Sequence, residues 1–243
     1  LKMSLNTVII IPSRIGSTRL KNKPLVDISG KSLIHRVYEN ALLCTPNVFV
    51  ATDSDIIKNH IQSLTSNVII TDKDHISGTD RVFEAAKKLN LDKDTLIINL
   101  QGDEPFMPKE VVKELIDSFK MNTSNIVTAA HKIVNREIID NPNCVKAIID
   151  DQSFAKDFVR NIEYVDGASY YQHIGIYGYS MATLQKLVSL KPTLNEIERK
   201  LEQLRFLDNG YKIKISKFNI NIPPGIDTED DVKTAIKYIN NES

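Results

Sequence analysis

The chain has 243 residues, of which 42% are hydrophobic and 26% are charged, with 9 glycines and 9 prolines. This is ordinary globular composition, and it excludes disordered, collagen-like and coiled-coil chains. The 31 basic and 31 acidic side chains cancel, so the chain lacks the basic excess of a general nucleic-acid or anionic-membrane binder. We therefore expect no nucleic-acid partner and no membrane partner.

The cysteine count and the apolar runs point to an intracellular setting. Cys44 and Cys144 are too few for a disulfide framework, and neither has a Cys or His partner at metal-ligand spacing. The longest apolar run, 8–11, is far shorter than the ~20 residues of a membrane helix. No signal-peptide pattern is recognised at the N-terminus. These features predict a soluble cytoplasmic protein.

Strand and helix signals alternate through the first half of the chain. Apolar, β-branched runs predict strands, and apolar residues at helical spacing predict helices. The predicted strands are 7–12, 47–53, 67–72 and 95–101. The predicted helices are 31–43, 54–64, 79–89 and 108–121. Such alternation with short links predicts parallel strands, and ligands bind beyond the carboxyl ends of strands in such sheets. We therefore expect the chemistry at the segments that follow these strands.

The second half is less regular. Strands are predicted at 125–133, 145–150, 170–179 and 211–218, and helices at 194–207 and 228–240. We interpret 131–180 as a β-rich lobe inserted into a single domain that spans 1–243.

A basic segment, residues 14–31, follows the first predicted strand and extends to the start of the first predicted helix. It carries five basic side chains against one acidic one, together with the small or hydroxyl-bearing Gly16, Ser17 and Thr18. Such a loop can wrap a polyanion with backbone N–H groups, hydroxyls and cationic heads, although a solvated basic loop is the simpler alternative. Neither a Walker A motif nor G-x-G-x-x-G is present, which removes the main support for P-loop and dinucleotide-binding proteins.

Acidic residues form two groups far apart in the sequence. Asp103 and Glu104 directly follow a predicted buried strand, and a second group begins at Asp227. Thr228 and Asp231 resemble a capping box, so we interpret the acids from 229 to 231 as structural. Asp103 and Asp227, if the fold brings them to a polyanion, form a hard-oxygen pair suited to Mg²⁺. A basic loop with two such carboxylates indicates chemistry on a nucleoside triphosphate.

Six segments in chain order carry a family resemblance. They are IPSRIGSTRLKNKPL (11–25), HISGTDR (75–81), NLQGDEP (99–105), HIGIYGY (173–179), LEQLR (201–205) and GIDT (225–228). Together they resemble the motifs of the CMP-Kdo synthetase (3-deoxy-manno-octulosonate cytidylyltransferase) family of sugar-activating nucleotidyltransferases. The resemblance covers nearly the whole chain, and six motifs in order are far more specific than any one of them.

The resemblance implies a fold and an activity. The expected fold is α/β, with a Rossmann-like nucleotidyltransferase sheet in three α/β/α layers, mostly parallel, and the smaller lobe inserted. The expected enzyme joins 3-deoxy-D-manno-octulosonate (Kdo) to CTP with Mg²⁺, through attack of the anomeric hydroxyl, and releases CMP-Kdo and pyrophosphate for lipopolysaccharide or capsule biosynthesis. The resemblance also implies that the lobe binds the sugar acid and forms the contact of a homodimer.

The same resemblance implies roles for individual residues. Lys23 would meet the α-phosphate and stabilise developing charge, with Arg14, Asp103 and Asp227 as the other catalytic residues. The expected metal ligands are Asp103 and Asp227. The expected nucleotide-binding residues are Arg14, Ser17, Thr18, Arg19, Lys23, Ser77, Gly78, Thr79, Arg81 and Asp103. The expected sugar-binding residues are Gln101, Arg160, His173, Tyr177, Glu202 and Gln203.

The sugar-binding residues also have simpler explanations. His173 could be a core histidine and Tyr177 a packing residue, while Arg160, Glu202 and Gln203 could be solvated. The sequence departs from the family pattern at Asp80, where Glu is usual, at Gly16, and at FVRNIEY (158–164), where F-S-R-A-x-I-P is typical.

The last of these segments borders the acceptor sugar in the family, so alternatives remain for the acceptor. One is a CMP-sugar synthetase for 8-amino-Kdo or for another ulosonic or sialic-type acid. A different class of function is a non-catalytic sugar-nucleotide sensor.

Overall fold

A computed structural model describes residues 7–16, 19–121, 124–220, 222–223 and 225–242. The first strand, β1 (Thr7–Ser13), is buried except at its first residue. Its sequence TVIIIPS is rich in β-branched residues, which suit a strand covered on both faces. The expectation of a doubly buried first strand is confirmed.

The remaining strands and helices follow in chain order. The strands are β2 (Asp27–Ile28), β3 (Lys31–Ser32), β4 (Val48–Thr52), β5 (Val68–Ile70), β6 (Leu96–Asn99), β7 (Ile126–Lys132), β8 (Lys146–Ile149), β9 (Ala155–Val159), β10 (Tyr171–Ser180) and β11 (Ile213–Phe218). The helices are α1 (Leu33–Leu42), α2 (Asp55–Ile61), α3 (Gly78–Lys88), α4 (Lys109–Met121), α5 (Arg136–Asp140), α6 (Met181–Leu187), α7 (Leu194–Arg199), α8 (Gln203–Asp208) and α9 (Glu229–Glu242). A 3-10 turn covers Lys23–Leu25.

The central sheet has the order β11-β7-β10-β6-β1-β4-β5. Strands β6, β1, β4 and β5 are parallel, as the alternating first half predicts. Strand β10 runs antiparallel between β6 and β7, and β11 is parallel to β7. The carboxyl ends of β1 and β6 therefore lie side by side in the middle of the sheet.

Helices cover both faces of the sheet. Ile9 and Ile11 of β1 pack in one core with apolar residues of α1, α4 and α9. Val8 and Ile10 point the other way, into a core with α3, α6 and α8. The alternation of side chains along a strand produces these two cores. The expected three-layer α/β/α fold is confirmed.

The second half departs from the sequence prediction in several places. The prediction of one continuous helix over 194–207 is wrong, because Lys200 has a φ of 53° and ends α7 before α8 begins. Helices α5 and α6 and strand β9 were not predicted. Helix α6 follows β10 directly, with Ser180 as its N-cap, so it has no linker to mark its start.

The strands of the proposed lobe are continuous with the central sheet. Strand β8 pairs with β9 and, through Lys146, with Gln172 of β10. The end of β10, from Tyr177 to Ser180, pairs with β6. The interpretation of 131–180 as a lobe remains a prediction.

In the described part of the chain, no helix combines the length and the apolarity required to cross a membrane.

Candidate functional site

A polar cleft of about 310 Å³ opens beside the carboxyl ends of β1 and β6. This is the sheet edge at which the alternating pattern predicts ligand binding. The cleft is bounded by the end of β1, the basic segment, the start of α3 and the loop after β6. Its lining residues are Pro12, Ser13, Arg14, Gly16, Arg19, Lys23, Pro24, His75, Ile76, Ser77, Gly78, Arg81, Gln101, Gly102, Asp103 and Asp227.

An ion cluster lies in the cleft. The Nζ of Lys23 is 2.6 Å from Oδ2 of Asp103 and 2.8 Å from Oδ1 of Asp227. Arg19 places a guanidinium nitrogen 2.9 Å from the other oxygen of Asp227. The side chain of Lys23 is 16% exposed, while that of Arg19 is 65% exposed. The cluster therefore has a covered ammonium at its centre and an exposed guanidinium at its rim.

The ammonium of Lys23 is charged in this environment. Burial lowers the pKa of Lys23, but Asp103 and Asp227 together outweigh burial and leave the pKa above its ordinary 10.5. Each carboxylate accepts a charge-assisted hydrogen bond from Nζ, which fixes the ammonium between them.

Backbone contacts hold the two aspartates in place. The N–H of Ile226 donates to the carbonyl of Asp103 at 2.9 Å, which ties the loop before α9 to the loop after β6. Gly102 lets that second loop approach β1, since a Cβ at this position would lie 2.7 Å from the carbonyl oxygen of Pro12. The predicted capping box is confirmed, because Asp231 accepts from the N–H and hydroxyl of Thr228, whose hydroxyl accepts from the Asp231 N–H.

Glu104 adds a third carboxyl group behind the cluster. It packs against Gly225, so that a Cβ on that glycine would lie 2.9 Å from Oε1 of Glu104. Burial, reinforced by the charges of Asp103 and Asp227 and opposed by Lys23, raises the pKa of Glu104 to about 8. Glu104 is therefore mostly protonated at neutral pH and adds little negative charge to the cleft.

The start of α3 forms the opposite wall of the cleft. Ser77 caps α3, and Asp80 completes a capping box by accepting from the Ser77 backbone N–H. Arg81 lines the cleft but is 3% exposed and donates to Asp53 and to the hydroxyl of Thr71. These contacts fix the direction of the Arg81 guanidinium.

A buried polar group lies behind that wall. The hydroxyl of Thr79 donates to Glu202 at 2.7 Å. Burial raises the pKa of Glu202, while the nearby hydroxyls of Thr79 and Ser77 and the charge of Arg205 oppose the increase. Glu202 is thus an inward-facing carboxyl group, unlike the solvated residue that its charged surroundings suggest.

Strand β10 contributes two partly buried aromatic rings. His173 packs edge-on against Phe158, contacts the ring of Tyr177 and lies 3.1 Å from the hydroxyl of Thr128. Burial lowers the pKa of His173 to about 3 and raises that of Tyr177 well above its ordinary value. Both side chains are therefore neutral at physiological pH.

Arg160 lies outside the cleft lining. Its guanidinium donates to the backbone carbonyls of Pro142, Arg199 and Lys200, each at 3.3 Å. These contacts hold the turn that ends α7 and leads to Glu202. The structure therefore shows Arg160 as a support for this turn.

Comparisons with known proteins place the chain in a family. Residues 8–215 match the cytidylyltransferase family. The 3-deoxy-manno-octulosonate cytidylyltransferase of Thermodesulfovibrio yellowstonii is 40% identical over 98% of this chain and 99% of its own. The enzyme of that name from Fusobacterium nucleatum is 40% identical over 95% of each chain. The chain belongs to the 3-deoxy-manno-octulosonate cytidylyltransferase family.

Solved structures agree with this membership. The structure of CMP:2-keto-3-deoxy-manno-octonic acid synthetase complexed with CTP is similar with a TM-score of 0.90 and 35% identity, over 98% of this chain and 99% of that one. A 4-diphosphocytidyl-2C-methyl-D-erythritol synthase from Anaerococcus prevotii has a TM-score of 0.63 at 20% identity and shows the shared fold alone.

The structure gathers part of the residue set that the family resemblance implies. Those that line the cleft are Arg14, Arg19, Lys23, Ser77, Gly78, Arg81, Gln101, Asp103 and Asp227. Those that lie behind the cleft wall, buried or partly buried, are Thr79, His173, Tyr177 and Glu202. Gln203 is buried at the first position of α8. Ser17 and Thr18 lie outside the described residues.

Two residues that line the cleft, Ser13 and His75, are absent from the site residues predicted from the sequence. Ser13 is 4% exposed, and its hydroxyl has no partner in the described structure. Its position at the carboxyl end of β1 could have identified Ser13 as a candidate site residue from the sequence. His75 lines the cleft and contacts Glu84, whose pKa is lowered to about 2 because hydrogen bonds from Lys88, the Asp72 N–H and His75 outweigh burial. His75 lies in the HISGTDR motif, and this position could have identified it from the sequence.

Proposed function

We propose that this protein transfers the cytidylyl group of CTP to Kdo, giving CMP-Kdo and pyrophosphate. The observation that carries the proposal is the placement of the Lys23 ammonium between Asp103 and Asp227 in the cleft. Relatives named for this reaction match nearly the full length of the chain, which supports CTP and Kdo as the substrates.

Cationic side chains would bind the triphosphate. Arg14, Arg19 and Lys23 all line the cleft on the side of the basic segment. Arg19 is exposed enough to turn from Asp227 to a phosphate oxygen. Guanidinium groups bind phosphate through paired hydrogen bonds, while the compact ammonium of Lys23 suits charge that moves during transfer. We assign Lys23 to the α-phosphate and the arginines to the outer phosphates.

Asp103 and Asp227 fit a divalent cation. Both carboxylates approach a single positively charged atom, Nζ of Lys23, so the geometry already holds a cation between them. Hard oxygen donors are those that Mg²⁺ prefers. Bound Mg²⁺ would neutralise phosphate oxygens and increase the acidity of the attacking hydroxyl. We therefore propose Asp103 and Asp227 as the residues that hold Mg²⁺.

The reaction exchanges a phosphoanhydride bond for a phosphate ester bond. The anomeric hydroxyl oxygen of Kdo forms a bond to the α-phosphorus, and the bond from that phosphorus to the bridging oxygen breaks. Pyrophosphate leaves with the bonding electron pair, and the hydroxyl proton passes to solvent. Lys23 stabilises the charge that develops on the α-phosphate oxygens, and the cleft walls orient the reactants.

The acceptor would lie next to Gln101 and the polar group behind the α3 wall. Gly175 of β10 lies close to Gln101, since a Cβ there would be 3.8 Å from the Gln101 side chain. His173 and Tyr177 lie two positions to either side of Gly175 in β10, and the charge of Glu202 acts on the pKa of Tyr177. We propose this region for the sugar acid, with Arg160 and Gln203 as supports for the segments around Glu202.

Pyrophosphate release tests the proposed function. The protein is supplied with CTP, Mg²⁺ and one acceptor from a set of Kdo, 8-amino-Kdo and a sialic-type acid. We expect release with Kdo and no release when Mg²⁺ or the acceptor is omitted. Preference for another sugar acid would correct the acceptor. Binding of CTP by thermal shift, without pyrophosphate release for any acceptor, would instead indicate a sugar-nucleotide sensor.

We also propose a cytoplasmic homodimer, with 131–180 as the contact. Apolar side chains exposed in this stretch support the contact, among them Val134, Tyr164 and Val165. Light scattering during size-exclusion chromatography gives the mass directly. A dimer that dissociates when Val134 is changed to Asp supports the proposed contact, whereas a monomeric wild-type protein contradicts it.

A further inference from the structure

A chain of hydrogen bonds connects Gln101 to Tyr179 through the protein interior. The Nε2 of Gln101 donates to Oδ1 of Asn99 at 3.0 Å, and Nδ2 of Asn99 donates to the hydroxyl of Tyr179 at 3.0 Å. Neither Asn99 nor Tyr179 has a role in the site described above.

The chain lies on one face of the sheet and is shielded from water. Ile97 of β6 and Tyr179 of β10 belong to the core on the α3 side, and Asn99 shares that face because it lies two residues after Ile97. Asn99 and Tyr179 are each 1% exposed. Water therefore offers no alternative partner, and each polar group depends on its neighbour in the chain.

The direction of donation is set by the orientation of the Asn99 amide. Its Nδ2 donates to the hydroxyl of Tyr179, because an amide nitrogen can only donate. The other end of the same amide, Oδ1, is therefore the acceptor that faces Gln101.

The amide of Gln101 is consequently held in one of its two orientations. Its nitrogen is occupied by Asn99, which leaves Oε1 on the cleft side. That oxygen lies close to the cleft wall, since a Cβ on Gly78 would be 3.5 Å from it. A carbonyl oxygen attracts a hydroxyl and repels a carboxylate or phosphate oxygen.

We propose that Asn99 and Tyr179 are positioning residues that fix the Gln101 carbonyl towards the cleft, where it accepts a hydrogen bond from a hydroxyl of the acceptor sugar. This inference rests on the proposed function, because it assumes that Gln101 meets the sugar. The carboxylate of the sugar acid must then bind elsewhere in the site.

Tyr179→Phe tests the proposal. It removes the hydroxyl on which the orientation of Asn99 depends, so the Gln101 amide can adopt either orientation. We expect the KM for Kdo to rise about tenfold, with the KM for CTP unchanged and kcat nearly unchanged. The matched control is Tyr38→Phe, which removes the hydroxyl of another buried tyrosine, in α1 and outside the cleft lining. Both KM values should remain at the wild-type level in the control.

A double variant separates positioning from general destabilisation. If Tyr179 acts through Gln101, adding Tyr179→Phe to Gln101→Leu should cause no further rise in the KM for Kdo. An undiminished second effect would overturn the proposal. If Gln101→Leu leaves no measurable turnover, NMR replaces the kinetic cycle. The Gln101 side-chain amide protons should then exchange with water faster in Tyr179→Phe than in the wild type, and equal exchange rates would overturn the proposal.

The outcomes for the wild type keep the two proposals apart. Wild-type protein that releases no pyrophosphate with any sugar acid contradicts the proposed function, and with it this inference. Active wild-type protein with an unaltered KM for Kdo in Tyr179→Phe contradicts the inference alone. A rise in the KM for CTP in place of that for Kdo would also contradict it, because it would place Gln101 at the nucleotide.

Discussion

Lys23 and Asp227 are separated by 204 positions in the sequence, and their side chains are joined by a hydrogen bond of 2.8 Å. Asp103, which follows β6, binds the same nitrogen at 2.6 Å. The fold thus brings the basic segment after β1, the loop after β6 and the loop before α9 to one point at the sheet edge.

Replacement of Lys23 by alanine should reduce turnover much more than CTP affinity. The ammonium is assigned to charge that develops during transfer, so its loss should lower kcat roughly 10²–10³-fold. Steady-state kinetics with varied CTP separates kcat from KM. Lys31→Ala is the control, because Lys31 pairs with Glu39 and does not line the cleft. A large rise in the KM for CTP with unchanged kcat would contradict the assignment.

Asp103→Asn should abolish activity that depends on Mg²⁺ and should leave the fold intact. The amide keeps the shape of the side chain but loses the charge that a divalent cation requires. A Mg²⁺ titration of pyrophosphate release measures the effect, and circular dichroism checks the fold. Asp151→Asn changes an exposed aspartate and should retain the wild-type titration curve. Full activity of Asp103→Asn would remove this residue from the proposed metal site.

Glu104 should make stability depend on pH. Its pKa in the folded state, about 8, lies above its ordinary 4.5. Between these values the folded protein retains a proton that the unfolded chain has lost, so the free energy of unfolding falls as pH rises.

Glu104→Gln removes this titration, and its Tm relative to the wild type should increase from about pH 5 to about pH 8. Each 1 kcal/mol corresponds to about 2–4 °C for a chain of this size. The measurement is made with EDTA, so that no cation competes for Asp103. Glu114→Gln, at an exposed position of α4, is the control. A Tm difference that stays constant across this range would contradict the raised pKa.

Arg160→Ala should destabilise the turn after α7 by about 1 kcal/mol, because three backbone carbonyls lose a charged donor. Arg160→Lys should be nearly as unstable, since an ammonium cannot reproduce the planar fork of guanidinium donors. Both variants should raise the KM for Kdo and leave the KM for CTP unchanged, because the turn leads to Glu202. Thermal unfolding and kinetics with each substrate test these effects, and a Kdo KM at the wild-type level would separate Arg160 from the acceptor region.

Much of the fold could be predicted because its first half is locally consistent. The apolar run of β1 and the caps Ser32 and Ser77 signal their elements through side-chain chemistry. The break at Lys200 could not be predicted, since lysine rarely adopts positive φ and the apolar pattern continues across it. The short helix α6 was missed because β10 leads into it without a linker.

The placement of the candidate site residues was predictable only where they follow strands. Lys23 and Asp103 lie in the loops that the alternating pattern places at one edge of the sheet. The charged neighbours of Glu202 in the sequence favour a solvated side chain, and only the packing of α8 against β9 and the hydrogen bond from Thr79 show that it faces inward. The contacts of Arg160 with carbonyl groups could not be predicted, because backbone acceptors have no signature in the sequence.

The pairing of Lys23 with two aspartates has a consequence for the order of events in the cleft. Without substrates, the two basic and two acidic side chains of the cluster balance each other in charge. A divalent cation at the proposed Asp103–Asp227 site would displace the Lys23 ammonium, and a phosphate group of the nucleotide would then receive that ammonium. Binding of the nucleotide and binding of the metal are thus expected to depend on each other, with each ligand bound weakly in the absence of the other.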